Sequence, residues 1–174
     1  MQVRNEHSEF RTCIRPVETM PDRKHPHRLR DEAYFGTHDV VFVTWATVRS
    51  IRLTRAAVAT EVIAAMLEQA QSRQIEVIAY CIMPNHVHAV VAISSESGDL
   101  RQWVRYAKRE ASRRLGRPGM WQRSYWDRHA RAADDVGDMV EYVLNNPVRR
   151  GLCEDWSQWP YSWSLWSGGL GPSA

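Results

Sequence analysis

Tyr80-Cys81-Ile82-Met83-Pro84-Asn85-His86-Val87-His88-Ala89-Val90-Val91 is the stretch that decides the fold. Pro84-Asn85 is a turn pair between two apolar arms. The arms predict a β-hairpin, with strands over 75–83 and 86–94 and the histidines opening the second strand. Residues i and i+2 of a strand face the same side of the sheet. His86 and His88 therefore aim together while Val87 faces the other way, a geometry that suits one divalent cation. A bare His-x-His pair is common, so its meaning depends on what the rest of the chain supplies.

Upstream, the β-branched and aromatic run over 39–47 predicts a strand. Thr54 is placed to cap a helix whose apolar residues, from Ala56 to Ala70, recur at helical spacing to about Gln74. Downstream, Gly98-Asp99 starts a second helix reaching about Leu115. Leu100, Val104, Ala107, Ala111 and Leu115 form its apolar stripe. Arg101, Arg105, Lys108, Arg109 and Arg113 lie roughly opposite. Gly116-Arg117-Pro118-Gly119 breaks this helix, and 120–131 reads as an extended segment rich in Trp, Tyr and Arg. Asp134 and Asp135 are candidate caps for a third helix ending near Asn146-Pro147. The order predicts an α+β fold: a ferredoxin-like β-α-β-β-α-β antiparallel sheet with an added C-terminal helix.

The chain has 174 residues, enough for one domain with a core of its own. Residues 1–33, broken by Pro16, Pro21 and Pro26, read as an irregular extension. The domain proper is expected over 34–152, and 153–174 as an aromatic tail, aperiodic and packed on the domain. His25 and His27 share the His-x-His spacing, but they flank Pro26 in the irregular part. Cys13, Cys81 and Cys153 are far apart and odd in number, which speaks against a disulfide framework or a zinc ribbon and for free thiols. No apolar run approaches the roughly 20 residues of a membrane span, and no signal peptide is evident. The expectation is a cytoplasmic protein with no membrane partner.

The formal net charge is only +3, but it is unevenly spread. Residues 101–131 hold ten Lys and Arg against two acids, and the remainder holds thirteen basic and eighteen acidic residues. A concentrated basic segment is either a solvated helix face or the footprint of a polyanion.

On the third helix Val136, Met139, Val140, Val143 and Leu144 make the apolar stripe, with Tyr142 on its flank. Asn146 is one turn on, so its amide neighbours the phenol. Each residue alone has an ordinary structural reading: a tyrosine on a helix shoulder, an asparagine at a helix end. Beside a histidine pair they suggest one machine. A divalent metal held by two imidazoles and an amide oxygen polarises a phosphoryl group. A phenolate beside it attacks phosphorus and keeps the phosphodiester bond energy in a covalent link, so a strand can be rejoined. A free phenol titrates near pH 10, so the metal and the surrounding arginines have to favour the phenolate.

Met83-Pro84-Asn85-His86-Val87-His88 and Tyr142-Val143-Leu144-Asn145-Asn146-Pro147-Val148-Arg149-Arg150-Gly151-Leu152 resemble two signatures of the REP-associated tyrosine transposases, within the HUH single-tyrosine group of single-strand DNA transposases. Residues Trp121 to Arg131 resemble a third block, and Trp159-Pro160-Tyr161-Ser162 a fourth. The resemblance runs from about His27 to Trp163 and leaves out 1–26. It implies an HUH catalytic domain, Mg²⁺ or Mn²⁺, and cleavage and rejoining of single-stranded DNA near hairpins such as repetitive extragenic palindromes. It assigns His86 and His88 as metal ligands and Tyr142 as nucleophile. Asn146 matches the third ligand position, where some relatives carry Gln. Arg28-Leu29-Arg30 matches a basic leader that often touches DNA. It also implies a nucleoid-associated protein acting as monomer or homodimer, with Tyr142 serving its own chain or a partner's.

Single strands are held by basic grooves and stacking aromatics. Arg105, Lys108, Arg109, Arg123, Arg128 and Arg131 are the phosphate candidates, and Trp121, Tyr125 and Trp126 the stackers. Each of these aromatics, with Trp103 and Tyr106, also has a core-packing reading. Asp127 and His129 are either helpers at the site or partners in a structural hydrogen bond. Two rival functions stay open: a hairpin-DNA binding module that does not cut, and a metal phosphodiesterase that uses water and leaves no adduct.

Overall fold

The structure, a computed structural model, describes residues 39–48, 51–93, 98–130 and 133–166. The extension over 1–33, the histidines at 25 and 27, the basic leader over 28–30, Cys13 and Arg131 lie outside the described residues.

The elements follow the expected order. They are β1 (Val40–Thr47), α1 (Ala56–Gln71), β2 (Ile75–Ile82), β3 (His86–Ile93), α2 (Leu100–Arg114), β4 (Trp121–His129), α3 (Ala133–Leu144), α4 (Asn146–Arg149) and β5 (Ser162–Ser164). The strands form one antiparallel sheet in the order β4-β1-β3-β2-β5. The first four strands have the split β-α-β-β-α-β arrangement that the sequence predicts.

Strand alternation sorts the core into two faces. Val41, Val43 and Trp45 of β1, with Val87, Ala89 and Val91 of β3, face α1 and α2. Trp103 of α2 is fully buried there, meets Trp45 edge-on at 5.6 Å between ring centroids, and donates its indole N–H to the Met66 carbonyl at 3.0 Å. Phe42, Ala79, Cys81 and Val90 face the other way, against Met139, Val140, Val143 and Leu144 of α3. α3 lies over β2 and β3, so it covers only part of that face.

Local chemistry explains most boundaries. Asp99 caps α2 by accepting from the Gln102 N–H at 3.0 Å. Gly116 and Gly119 turn the chain into β4 with φ of 59° and 72°, in the left-handed region that glycine tolerates. α1 starts later than expected: Arg55, not Thr54, is its N-cap, without a side-chain bond. α3 starts at Ala133, so Asp134 and Asp135 lie inside it. It stops at Leu144, and the chain resumes helical form at Asn146, because Pro147 has no N–H to continue the ladder. The aromatic tail does not merely cover the core. Ser162–Ser164 pairs with β2, and Trp159 donates its indole N–H to the Ile82 carbonyl at 3.0 Å. Three residues are too few for a strand to show a period.

Candidate active site

One row of residues crosses the sheet on the face that α3 half covers. In register it runs Cys81 (β2), His88 (β3), Thr44 (β1) and Trp126 (β4). His86 starts β3 on the same face, opposite Ala46. The two imidazoles meet with their Nε2 atoms 3.0 Å apart. Their outer nitrogens are both occupied: His86 Nδ1 lies 2.7 Å from Asn85 Oδ1, and His88 Nδ1 lies 2.7 Å from Thr44 Oγ1.

These partners set the protons. An amide oxygen can only accept, so His86 carries its proton on Nδ1 and turns a lone pair on Nε2 toward His88. The Thr44 hydroxyl can donate or accept, so it suits either tautomer of His88. Burial, with the Arg150 charge second, lowers the His86 pKa to about 4. Burial also holds His88 well below the ordinary range, helped by the charges of His86 and Arg150 and opposed by a hydrogen bond with Asn146. Both rings are therefore neutral near pH 7, the state a metal ligand requires.

α3 and α4 complete the site within one chain. Tyr142 lies 6.1 Å from His88 and 5.6 Å from Phe42 between ring centroids, edge-on to both, and its side chain is 40% exposed. Asn146 is buried, and its Nδ2 donates to the Tyr142 carbonyl at 3.0 Å. Oδ1 is then the atom left to face His88. Arg149 places its guanidinium carbon over the Tyr142 ring, 4.8 Å from the ring centre.

The donor set fits a divalent cation. Two nitrogens each about 2.1 Å from one ion, at right angles, are about 3 Å apart, and the two Nε2 atoms have that spacing. Each imidazole has an outer oxygen partner, as metal-bound histidines do. No three His, Cys, Asp or Glu side chains converge among the described residues. The Asn146 amide beside this pair is a group that could serve as a third donor, a hard oxygen of the kind that suits Mg²⁺ or Mn²⁺ better than a soft metal.

The candidate DNA contacts divide between the two faces. Trp126 and Arg128 sit on the histidine face, where Trp126 is 39% exposed and meets Phe42 edge-on at 5.4 Å. Tyr125 pairs with Trp45 and packs with Trp121 against the α1–α2 core. Trp121 also donates its indole N–H to the Lys108 carbonyl at 2.9 Å. Arg105, Lys108 and Arg123, with Arg101, Val104 and Tyr125, line an open cleft of about 310 Å³ on the α2 side of β4. Lys108 turns its ammonium onto the carbonyls of Gln122, Arg123 and Ser124, the closest at 2.6 Å, and burial lowers its pKa to about 8. Its visible work is to hold a bulge of β4. Arg109 lies against the Tyr106 ring at 5.4 Å. Asp127 and His129 pair with Val43 and Val41, so they face α2 and not the histidines. Trp103 is a packing residue.

Thr44, Asn85, Phe42, Arg149 and Arg150 join the site without having been singled out in the sequence. Thr44 and Phe42 need the β1–β3 register. Arg149 and Arg150 carried a signal, since they follow Tyr142 at i+7 and i+8.

Known proteins resemble this chain in sequence and in fold. The sequence model of the family described as "Transposase IS200 like" matches residues 37–146. A protein named as a REP-associated tyrosine transposase from Haemophilus influenzae is 28% identical over 101 residues, covering 50% of this chain and 57% of that relative. A REP-associated tyrosine transposase of Escherichia coli K12 is 26% identical over 98 residues, covering 56% of this chain and 59% of the relative. The chain thus spans just under three fifths of the length of either relative. The solved structure of a REP-associated tyrosine transposase bound to a REP hairpin has the same fold, with a TM-score of 0.69 at 22% identity over 78% of this chain and 81% of that one. The family match covers well over half of the chain and takes in both the histidine pair and the tyrosine helix, so this chain belongs to the IS200-like transposase family.

Proposed function

We propose that this transposase is a metal-dependent single-strand DNA endonuclease and strand transferase, which cuts and rejoins DNA beside REP-like hairpins through a covalent link to Tyr142. The observation that carries the reading is the position of Tyr142. It is an exposed phenol on α3, and α4, which follows directly, brings the Asn146 amide to the histidine pair. A module that only binds hairpins has no need of that convergence. The hairpin as substrate rests on the likeness to REP-associated transposases.

His86, His88 and Asn146 are the residues that would hold Mg²⁺ or Mn²⁺. The bound ion supplies Lewis acidity toward a phosphate oxygen. Thr44 and Asn85 keep the two rings pointed inward. Trp126, beside Phe42 on the same face, offers a stacking surface for a base of the single strand, and Arg128 offers a phosphate contact. Tyr142 attacks phosphorus through its oxygen, and its proton leaves to solvent. The oxygen–phosphorus bond forms as the bond from phosphorus to one flanking sugar oxygen breaks. That sugar oxygen takes a proton and becomes a free hydroxyl. Attack by a strand-end hydroxyl on the phosphotyrosine reverses the sequence and releases Tyr142. Whether the protein acts as monomer or homodimer, the geometry above already serves one chain.

The test is a denaturing gel with single-stranded hairpin oligonucleotides taken from repeats beside the gene. Mn²⁺ is expected to give a covalent protein–DNA band that EDTA and Tyr142→Phe both abolish. Binding without a band contradicts the reading, as does cleavage that survives the substitution.

A further inference from the structure

The segment after the tyrosine helix carries two cations with no assigned work. Tyr142, Asn146, Arg149 and Arg150 stand at i, i+4, i+7 and i+8, which places them along one side of a helical path. That path continues through the Pro147 break. Asn145 N–H donates to the Glu141 carbonyl, Arg149 N–H to Asn145 and Arg150 N–H to Asn146, at 2.9, 2.9 and 3.1 Å. Its end is pinned. Gly151 adopts φ +64°, its N–H donates to the Val148 carbonyl, and Leu152 N–H donates to the Pro147 carbonyl, both at 2.9 Å. This bond pair with a left-handed glycine is a Schellman closure, which fixes where the two arginines leave the backbone.

Neither arginine has an acidic partner among the described residues, whereas Arg113 and Arg114 on α2 are paired with glutamates. The Arg149 guanidinium carbon sits 4.8 Å from the centre of the Tyr142 ring, a contact that uses none of its N–H donors on an acceptor atom. Arg150 stands one turn past Asn146 on the same side of that path, its N–H donating to the Asn146 carbonyl at 3.1 Å. Unpaired positive charge on a fixed mount, beside a nucleophile and a cation-binding pair, has one chemical complement, a phosphodiester.

We propose that Arg149 and Arg150 are catalytic residues that clamp the scissile phosphate, donating to the non-bridging oxygens on which charge builds as the Tyr142 oxygen attacks. Arg149 serves from beside the Tyr142 ring and Arg150 from one turn past Asn146. The inference rests on the tyrosine mechanism proposed above. Guanidinium groups aimed at developing charge act in the transition state more than in binding.

The test uses the full chain, Mn²⁺ and a hairpin oligonucleotide whose scissile linkage has been mapped with the parent protein. Arg149→Gln and Arg150→Gln are each expected to slow adduct formation at saturating DNA by roughly 10²-fold, with the hairpin Kd moved by less than about threefold. A second oligonucleotide carries a methylphosphonate at the scissile position, where a neutral methyl replaces one charged oxygen. On at least one of its two diastereomers the defect of each variant is expected to shrink by about tenfold or more, since the charge to be neutralised is gone. A purely structural loss would persist on both substrates. The clamp is overturned if either variant matches the parent, if the defect lies in Kd alone, or if the methylphosphonate relieves neither variant. A parent protein that forms no adduct at all refutes the tyrosine mechanism instead, a different result from an active parent with indifferent arginine variants.

Discussion

The two faces of the sheet are built from the same strands but serve different ends. Beneath α1 and α2, Val41, Val43, Trp45, Val87, Ala89, Val91 and Trp103 close into a packed layer. On the other face α3 covers β2 and β3 and leaves the β1–β4 side open. There the alternate positions hold His88, Thr44 and Trp126, flanked by His86 and Tyr142. One strand, β3, supplies both: its odd-numbered residues hold the molecule together, and His86 and His88 carry the chemistry. The packed face is the rigid support that, with Asn85 of the turn, keeps the two Nε2 atoms 3.0 Å apart.

If this division is right, substitutions on the two faces separate activity from stability. The largest effect belongs to the open face. His88→Ala or Tyr142→Phe is expected to reduce adduct formation by roughly 10³-fold or more, with the thermal unfolding midpoint of Tyr142→Phe close to that of the parent. Trp103→Ala inverts the pattern. It is expected to destabilise by about 3–5 kcal/mol through the cavity and the orphaned Met66 carbonyl, read as a lower denaturation midpoint. Trp126→Ala sharpens the contrast within one residue type. It should cost under about 1 kcal/mol of stability, yet weaken single-strand binding by about 1–3 kcal/mol, read by fluorescence anisotropy. A Trp126→Ala protein that unfolds early but binds normally would break the comparison.

Next in size come the residues behind the histidines. Thr44→Val and Asn85→Ala are each expected to weaken Mn²⁺ binding about 10–100-fold, measured by electron paramagnetic resonance of the free ion. Thr44→Ser keeps the hydroxyl and should restore most of the affinity. The smallest effect is a pH slope. In EDTA the folded chain keeps His86 neutral down to about pH 4 and holds His88 well below its ordinary range. The unfolded chain takes up protons from about pH 6.5 downward. Stability should therefore fall as pH drops from about 6.5 toward 4, and a His86→Gln/His88→Gln variant should show a shallower slope by denaturant titration.

Most of the fold was legible because its signals are local. The Pro84-Asn85 turn set the hairpin, Asp99 announced α2, and the spacing of Met139, Val140 and Val143 set the buried side of α3. What stayed hidden depends on register. Tyr125 and Trp126 are neighbours in sequence and fall on opposite faces, so a basic and aromatic block that read as one DNA-binding strip is two surfaces. Lys108 read as a phosphate contact, but the β4 bulge at Gln122–Ser124 turns three carbonyls toward it. Within the site, the histidines, Tyr142 and Asn146 were legible from spacing. Thr44 was not, since its place beside His88 is set by strand pairing 44 residues apart.

The central claim is that the phenol on the open face is the nucleophile, and the most direct measurement is where DNA becomes attached. After reaction with a hairpin oligonucleotide in Mn²⁺, nuclease trimming and proteolysis, mass spectrometry should find a nucleotide on the peptide containing Tyr142, and fragmentation should place it on that residue. The same digest after reaction in EDTA should lack it. A nucleotide on Tyr125, Tyr161 or any other residue, or one that forms equally well in EDTA, would contradict the account.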